Sequence, residues 1–166
     1  SVPAIDKVAY HAIGEFMTQT MSGEEFTRDD VAAVTFFAFI DPASSEAETY
    51  YHEIVNAYPE IQKAGEEVVV CNKGEKDAEM FAEAPFPVIL YNDSLKEAMG
   101  NNAGMVEEME NTASWYVNGS FLSAWYGMVE AEDLKDSAAS FVEQSKQQDA
   151  APQDGGMVAM TVGVSQ

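Results

Sequence analysis

Val31-Ala32-Ala33-Val34-Thr35-Phe36-Phe37-Ala38-Phe39-Ile40 carries apolar side chains at nearly every position and gives way to Asp41-Pro42-Ala43-Ser44-Ser45. A strand that is apolar at both odd and even positions has no solvent face, so it belongs in the centre of a sheet covered on both sides. Asp41-Pro42 ends it, because proline offers no donor to a ladder. Residues 43–64 then read as a helix, with Ala47, Tyr50, Tyr51, Ile54, Tyr58 and Ile61 along one stripe. Pro59 is expected to kink or divide that helix, and Gly65 to stop it.

Downstream, residues 67–71 (EVVVC) read as a second buried strand, 74–84 as a helix with Met80, Phe81 and Ala84 inward, and 86–91 (FPVILY) as a third strand. Asp93-Ser94 is placed as the cap of a helix interrupted at Gly100-Asn101-Asn102 and resumed from Gly104 to Glu110. Two segments, 112–117 (TASWYV) and 121–126 (FLSAWY), flank Asn118-Gly119, the strongest hairpin signal in the chain. Residues 130–144 form an amphipathic helix, with Leu134, Ala138, Phe141 and Val142 inward and acidic residues in its first turn, where they complement the helix dipole. Upstream, Ile5, Val8, Ala9 and Ile13 predict a short helix over 3–13, residues 15–18 and 25–27 a small hairpin around Ser22-Gly23, and Arg28-Asp29-Asp30 a turn or cap. After Lys146 the composition shifts to a polar linker (147–156) and an apolar tail (157–164), so the chain divides into a domain at 1–146 and an appendage at 147–166. The early βα crossovers demand parallel strands and the hairpin adds antiparallel ones, which makes an α/β fold: a mixed central sheet with helices on both faces.

This order resembles the thioredoxin-like superfamily. Ser22-Gly23-Glu24-Glu25-Phe26, Phe36-Phe37-Ala38-Phe39-Ile40 and Pro85-Phe86-Pro87-Val88 are similar to the tryparedoxin/nucleoredoxin branch, over about residues 14–145. The resemblance implies a three-layer sandwich and a Trp-Cys-Pro-Pro-Cys-like motif between the central strand and its helix. Asp41-Pro42-Ala43-Ser44-Ser45 stands there instead. It also implies a cis-proline facing that motif, which the match places at Ala113 in Thr112-Ala113-Ser114. A cis bond before a non-proline residue costs about 2.5–4 kcal/mol, so a trans bond is expected. With Pro42, Ala43, Ser44, Ser45 and Ala113 as vestiges, both halves of the active site are lost. Dithiol–disulfide exchange needs one thiolate to attack and a second thiol to resolve, so the expectation is a redox-inactive protein with neither cofactor nor metal.

Charge narrows the partners. Eight Lys plus Arg against 29 Asp plus Glu give a formal net charge of -21, which repels phosphate backbones and anionic lipids and sets nucleic acid and direct membrane insertion aside. No segment is long and apolar enough for a transmembrane helix and no signal-peptide pattern is present. The acidity reads as a solvated surface, as a field that steers a basic partner in, or as weak multi-site binding of calcium. The last is implied by acidic thioredoxin-like calsequestrins, although no stretch has the ligand alternation of an EF-hand. One cysteine permits no internal disulfide and leaves the compartment unread. A chain starting at Ser1 fits methionine removal or a cleaved transit peptide. An organellar home, a chloroplast and its photosynthetic complexes included, therefore stands beside a cytoplasmic one.

Few residues are left to carry chemistry. Cys71 reads either as the nucleophile of a single-cysteine peroxidase or redox sensor, or as a small buried hydrophobe. Ser44 and Ser45 read as helix-capping serines, since a nucleophilic serine needs an adjacent base and the nearest histidine, His52, lies further along the same helix. His11 and His52 show no ligand spacing. Trp115, Tyr116, Trp125 and Tyr126 straddle the Asn-Gly hairpin; cross-strand packing accounts for them, unless an open sheet face exposes one of each pair to a partner. The tail residues Met157, Val158, Met160, Val162 and Val164 suit a strand that folds back on a sheet edge or joins another protein. The expectation is an accessory, non-catalytic subunit of a larger assembly, with a protein partner, basic proteins and membrane-complex subunits among the candidates.

Overall fold

The computed structural model describes residues 10–150, with eight strands and four α-helices. The central strand is β4 (Val34–Ile40), buried from Thr35 onward, and it does have apolar cover on both sides. Phe36, Ala38 and Ile40 point into one core, and Phe37 and Phe39 into the other. Each fully buried phenylalanine contributes on the order of 1.5–3 kcal/mol of transfer free energy, so this strand helps hold both layers against the sheet.

Beside β4 run β5 (Glu67–Asn72) in parallel, then β6 (Val88–Leu90), also parallel; on its other side runs β7 (Asn111–Val117), antiparallel. Next come β8 (Ser120–Leu122) and finally β1 (Tyr10–Ala12), completing the order β1-β8-β7-β4-β5-β6. A separate hairpin, β2 (Met17–Gln19) with β3 (Glu25–Thr27), leans on the β6 edge through Thr20 and Met21. Helices α1 (Ala47–Lys63) and α4 (Ala131–Ala150) contribute to the first core. The second core is filled from α2 (Asp93–Met99), α3 (Ala103–Glu108) and Phe16 and Phe26 of the hairpin region. This is the expected α/β three-layer arrangement with a mixed sheet.

Several local expectations need correction. Residues 10–12 are not helical; they form an edge strand whose register sets His11 opposite Phe121. Residues 74–84 hold only a 3-10 turn at Glu79–Phe81. The Asn72 side chain explains why: its Oδ1 accepts from Gly74 N at 2.8 Å and its Nδ2 donates to Glu75 O at 2.7 Å. Backbone groups captured by a side chain in this way are withdrawn from a helix. Pro59 does not divide α1, which runs unbroken to Lys63 with Tyr58 and Ile61 buried on either side of it. Gly65, at φ 82, then ends it, and Glu66 N returns to Ile61 O, the closing bond of a Schellman-type stop. The cap of α2 is Asn92, whose side chain accepts from Leu95 N, not Asp93 or Ser94. The partner strand of the hairpin stops at Leu122; beyond it the segment meets β7 through Ala124 O, which accepts from Ser114 Oγ at 2.7 Å, and through a bridge at Tyr126. The hairpin turn itself is as expected, with Asn118 at φ 50 and Gly119 at φ 92, the paired left-handed residues of a type I′ turn. Helix α4 runs to Ala150, four residues past Lys146.

Candidate functional site

The C-terminal end of β4, the N-terminal end of α1, the head of β7 and the loop after β5 meet at one place. There Ser44 N donates to Asp41 O at 3.0 Å, making a tight turn that leads into α1. Asp41 and Ser44 thus sit at the ends of the loop in which the resemblance implies two cysteines. Ala43 N donates to Asp41 Oδ1 at 3.0 Å, so the carboxylate holds its own turn shut. Ser44 Oγ donates to Asp41 O at 2.8 Å and accepts from Asn111 Nδ2 at 3.0 Å. Both capacities of the hydroxyl are engaged, and neither partner is a base. The nucleophilic role is therefore unsupported, and the capping role expected of Ser44 is not what it does: the N-cap of α1 is Glu46, without a side-chain bond, and the Ser44 hydroxyl ties its own turn to Asn111 instead. Ala43 and Ser45 are exposed; Pro42 is half-buried against Gly74, where an added Cβ would stand 2.8 Å from the proline Cδ.

Asn111 is the residue that binds this loop to the sheet. Its Oδ1 accepts from Asp41 N, 3.1 Å away, while Asp41 N also reaches Glu110 O at 3.1 Å. The position facing the 41–44 loop is therefore Asn111. Ala113 lies two residues further into β7, opposite Ala38, fully buried in mid-strand. The peptide before Ala113 is trans, and no cis peptide bond occurs among the described residues. Beneath the loop, Lys73 Nζ donates to Val106 O at 2.7 Å and Met109 O at 2.5 Å, capping the end of α3. Burial lowers its pKa, opposed by the negative charges of Asp41, Glu107 and Glu110.

Cys71 is fully buried in the second core, and desolvation raises its thiol well above the ordinary value, with Lys73 acting weakly the other way. It is the small hydrophobe of the two readings, since only a thiolate attacks peroxides or disulfides. Because both sheet faces are covered, Trp115 and Tyr116 are buried on opposite sides, which removes them from any exposed surface. Trp125 and Tyr126 are half-buried, packed on Phe121 and Phe36 respectively. Met157, Val158, Met160, Val162 and Val164 lie outside the described residues. Among the described residues no three His, Cys, Asp or Glu side chains converge as metal ligands, and no helix is long and apolar enough to cross a membrane.

Alongside the loop lies a cleft of about 230 Å³, lined by Glu46, Tyr50, Met109, Glu110, Asn111 and the 127–129 segment. Tyr50 closes its floor, with its hydroxyl donated to Tyr126 O at 2.9 Å. Met128 stands at the rim, 72% exposed. Met109, Asn111 and Lys73 went unrecognised in the sequence, where no motif marks them. The one available signal was counting back from Asn118-Gly119 along β7 to the end that meets Asp41.

No family model and no curated protein matches the chain. Solved structures do. A DsbF homologue from Corynebacterium diphtheriae superposes with a TM-score of 0.65 at 14% identity, over 79% of this chain and 87% of that one. A secreted thiol-disulfide isomerase from Corynebacterium glutamicum gives 0.63 at 14% identity, over 86% and 96%. StoA from Bacillus subtilis gives 0.54 at 16% identity, over 81% and 98%. The fold is therefore thioredoxin-like, and with a single, buried cysteine this chain lacks the pair of thiols that dithiol exchange requires.

Proposed function

We propose that this protein is a redox-inactive member of the thioredoxin-like superfamily that works by binding another protein, as an accessory subunit of a larger assembly. The observation that carries this reading is the closed hydrogen-bond circuit of Asp41, Ser44 and Asn111 at the position where thiol chemistry would sit. A scaffold that keeps its loop geometry with acid, hydroxyl and amide in place of sulfur retains a shaped surface and no nucleophile. The tryparedoxin/nucleoredoxin kinship and an organellar assembly, photosynthetic ones included, are parts of the same proposal; the order of elements and the acidic surface support them. Disulfide reduction of insulin in the presence of dithiothreitol tests the first part: the expected rate equals that of buffer, and turnover at a thioredoxin-like rate overturns it. Crosslinking in the native source tests the second: a stoichiometric partner is expected, and an exclusively monomeric protein there refutes the accessory role.

A further inference from the structure

We propose that the cleft beside the Asp41–Ser44 loop captures one lysine or arginine side chain from an extended segment of the partner, a step that rests on the interaction reading above. Size comes first. At about 230 Å³ the cleft is smaller than the roughly 300–1,000 Å³ of cofactor and drug-sized sites, and suits a single long side chain. Chemistry comes second. Tyr50, Val129, Met109 and Met128 supply apolar walls, while Glu46 and Glu110 contribute the charge. The Tyr50 hydroxyl is engaged on Tyr126 O and the Asn111 amide on Asp41 N and Ser44 Oγ, while Thr49 adds an exposed hydroxyl to the lining. What remains is a methylene-length apolar channel with carboxylates, the environment in which a cationic side chain lays down its stem and keeps its head solvated. Thioether walls repack around a stem at little cost.

Charge selects the cation. Among the described residues neither Glu46 nor Glu110 has an ion-pair partner. Lys73, the nearest cation in the field of Glu110, is committed to the carbonyls of Val106 and Met109. The net charge of -21 draws a basic segment toward the surface and repels an acidic one.

The test uses the full chain labelled at its nine methionine methyl groups and three acetylated, amidated peptides, identical except for a central lysine, norleucine or glutamate between leucines. The lysine peptide is expected to shift the Met109 and Met128 signals, to leave Met17 in place, and to bind at least about fivefold more tightly than the norleucine peptide at low salt. Glu46→Gln with Glu110→Gln is expected to abolish that margin, and Glu24→Gln with Glu25→Gln on the hairpin to preserve it. Equal losses in the two double variants would reduce the effect to diffuse charge attraction and overturn the proposal. So would shifts at Met17, no binding, or a concentration-dependent Met128 shift without peptide, which would make a second copy of the chain the occupant. Norleucine binding as tightly at Met109 and Met128 overturns the cation but leaves the interaction reading standing; that reading falls separately, to disulfide turnover.

Discussion

Asn111 joins the loop after β4 to the head of β7 through one side chain. Its replacement by alanine leaves Asp41 N with Glu110 O alone and Ser44 Oγ without its donor. Each lost bond is worth about 0.5–1.5 kcal/mol net, since Asp41 N keeps Glu110 O and Ser44 is only half-buried. Asn111→Ala is accordingly expected to lower the unfolding free energy by that order, read as a lower urea midpoint at an unchanged m-value, and an unmoved midpoint would show the circuit to be ornamental. Cys71 offers a second check: an Ellman titration should find it silent in the native protein and fully reactive in 6 M guanidinium, because burial opposes the thiolate. At this scale the sequence was half legible. The loop at 41–45 was recognisable from its place after an apolar strand. Its staple was not, because an asparagine at a strand head carries no motif, and a two-residue offset moves attention to Ala113, which faces the same side of the strand two positions too deep.

That offset has a consequence for β7 as an element. Ala113 pairs with Ala38 in the middle of the sheet, and its carbonyl accepts from Tyr126 N. Proline at this position would remove a donor from a central strand and press its ring toward a neighbour, a change worth about 3 kcal/mol or more. Ala113→Pro is therefore expected to leave the chain unfolded or insoluble at 37 °C. A soluble variant with native circular dichroism would mean that the β4–β7 register is wrong. Most elements were readable because their patterns were unopposed: β4 and β5 from continuous apolar runs, the type I′ turn from Asn118-Gly119, and the broken α2–α3 pair from Gly100. The helix expected over 74–84 failed for a tertiary reason, since Asn72 captures Gly74 and Glu75, and Gly74 is held hard against Pro42. Of the helix expected over 3–13, residues 10–12 are strand instead, because at a sheet edge they follow the register of β8, and residues 3–9 lie outside the described residues.

Across the whole molecule the dominant feature is unbalanced negative charge, and its effect on stability is separable from that of one buried acid. One is diffuse: 29 acidic residues against eight basic ones repel each other over the surface, and salt screens that repulsion within a Debye length of about 10 Å at 0.1 M. The other is local. Glu66 follows the stop of α1, buried, with Oε1 lacking any hydrogen-bond partner, and desolvation pushes its carboxyl up to about 8 from the ordinary 4.5. A folded-state value above the unfolded one means that the folded state holds its proton longer. The full stability is then present below about pH 4.5, and it declines as pH rises through the window up to about 8, by roughly 2–4 kcal/mol for this one group. Glu66→Gln stays neutral throughout. The expected melting temperatures of wild type and variant thus agree near pH 4.5 and diverge toward pH 8, with the variant higher. Raising NaCl from 20 mM to 500 mM at pH 7.5 should lift both by a few degrees, because it screens the surface they share. It should leave the gap between them unchanged, because a buried carboxyl is beyond the reach of the ions. A gap that closes in salt would place Glu66 among the solvated acids, and curves that coincide at every pH would show that its burial has no energetic consequence.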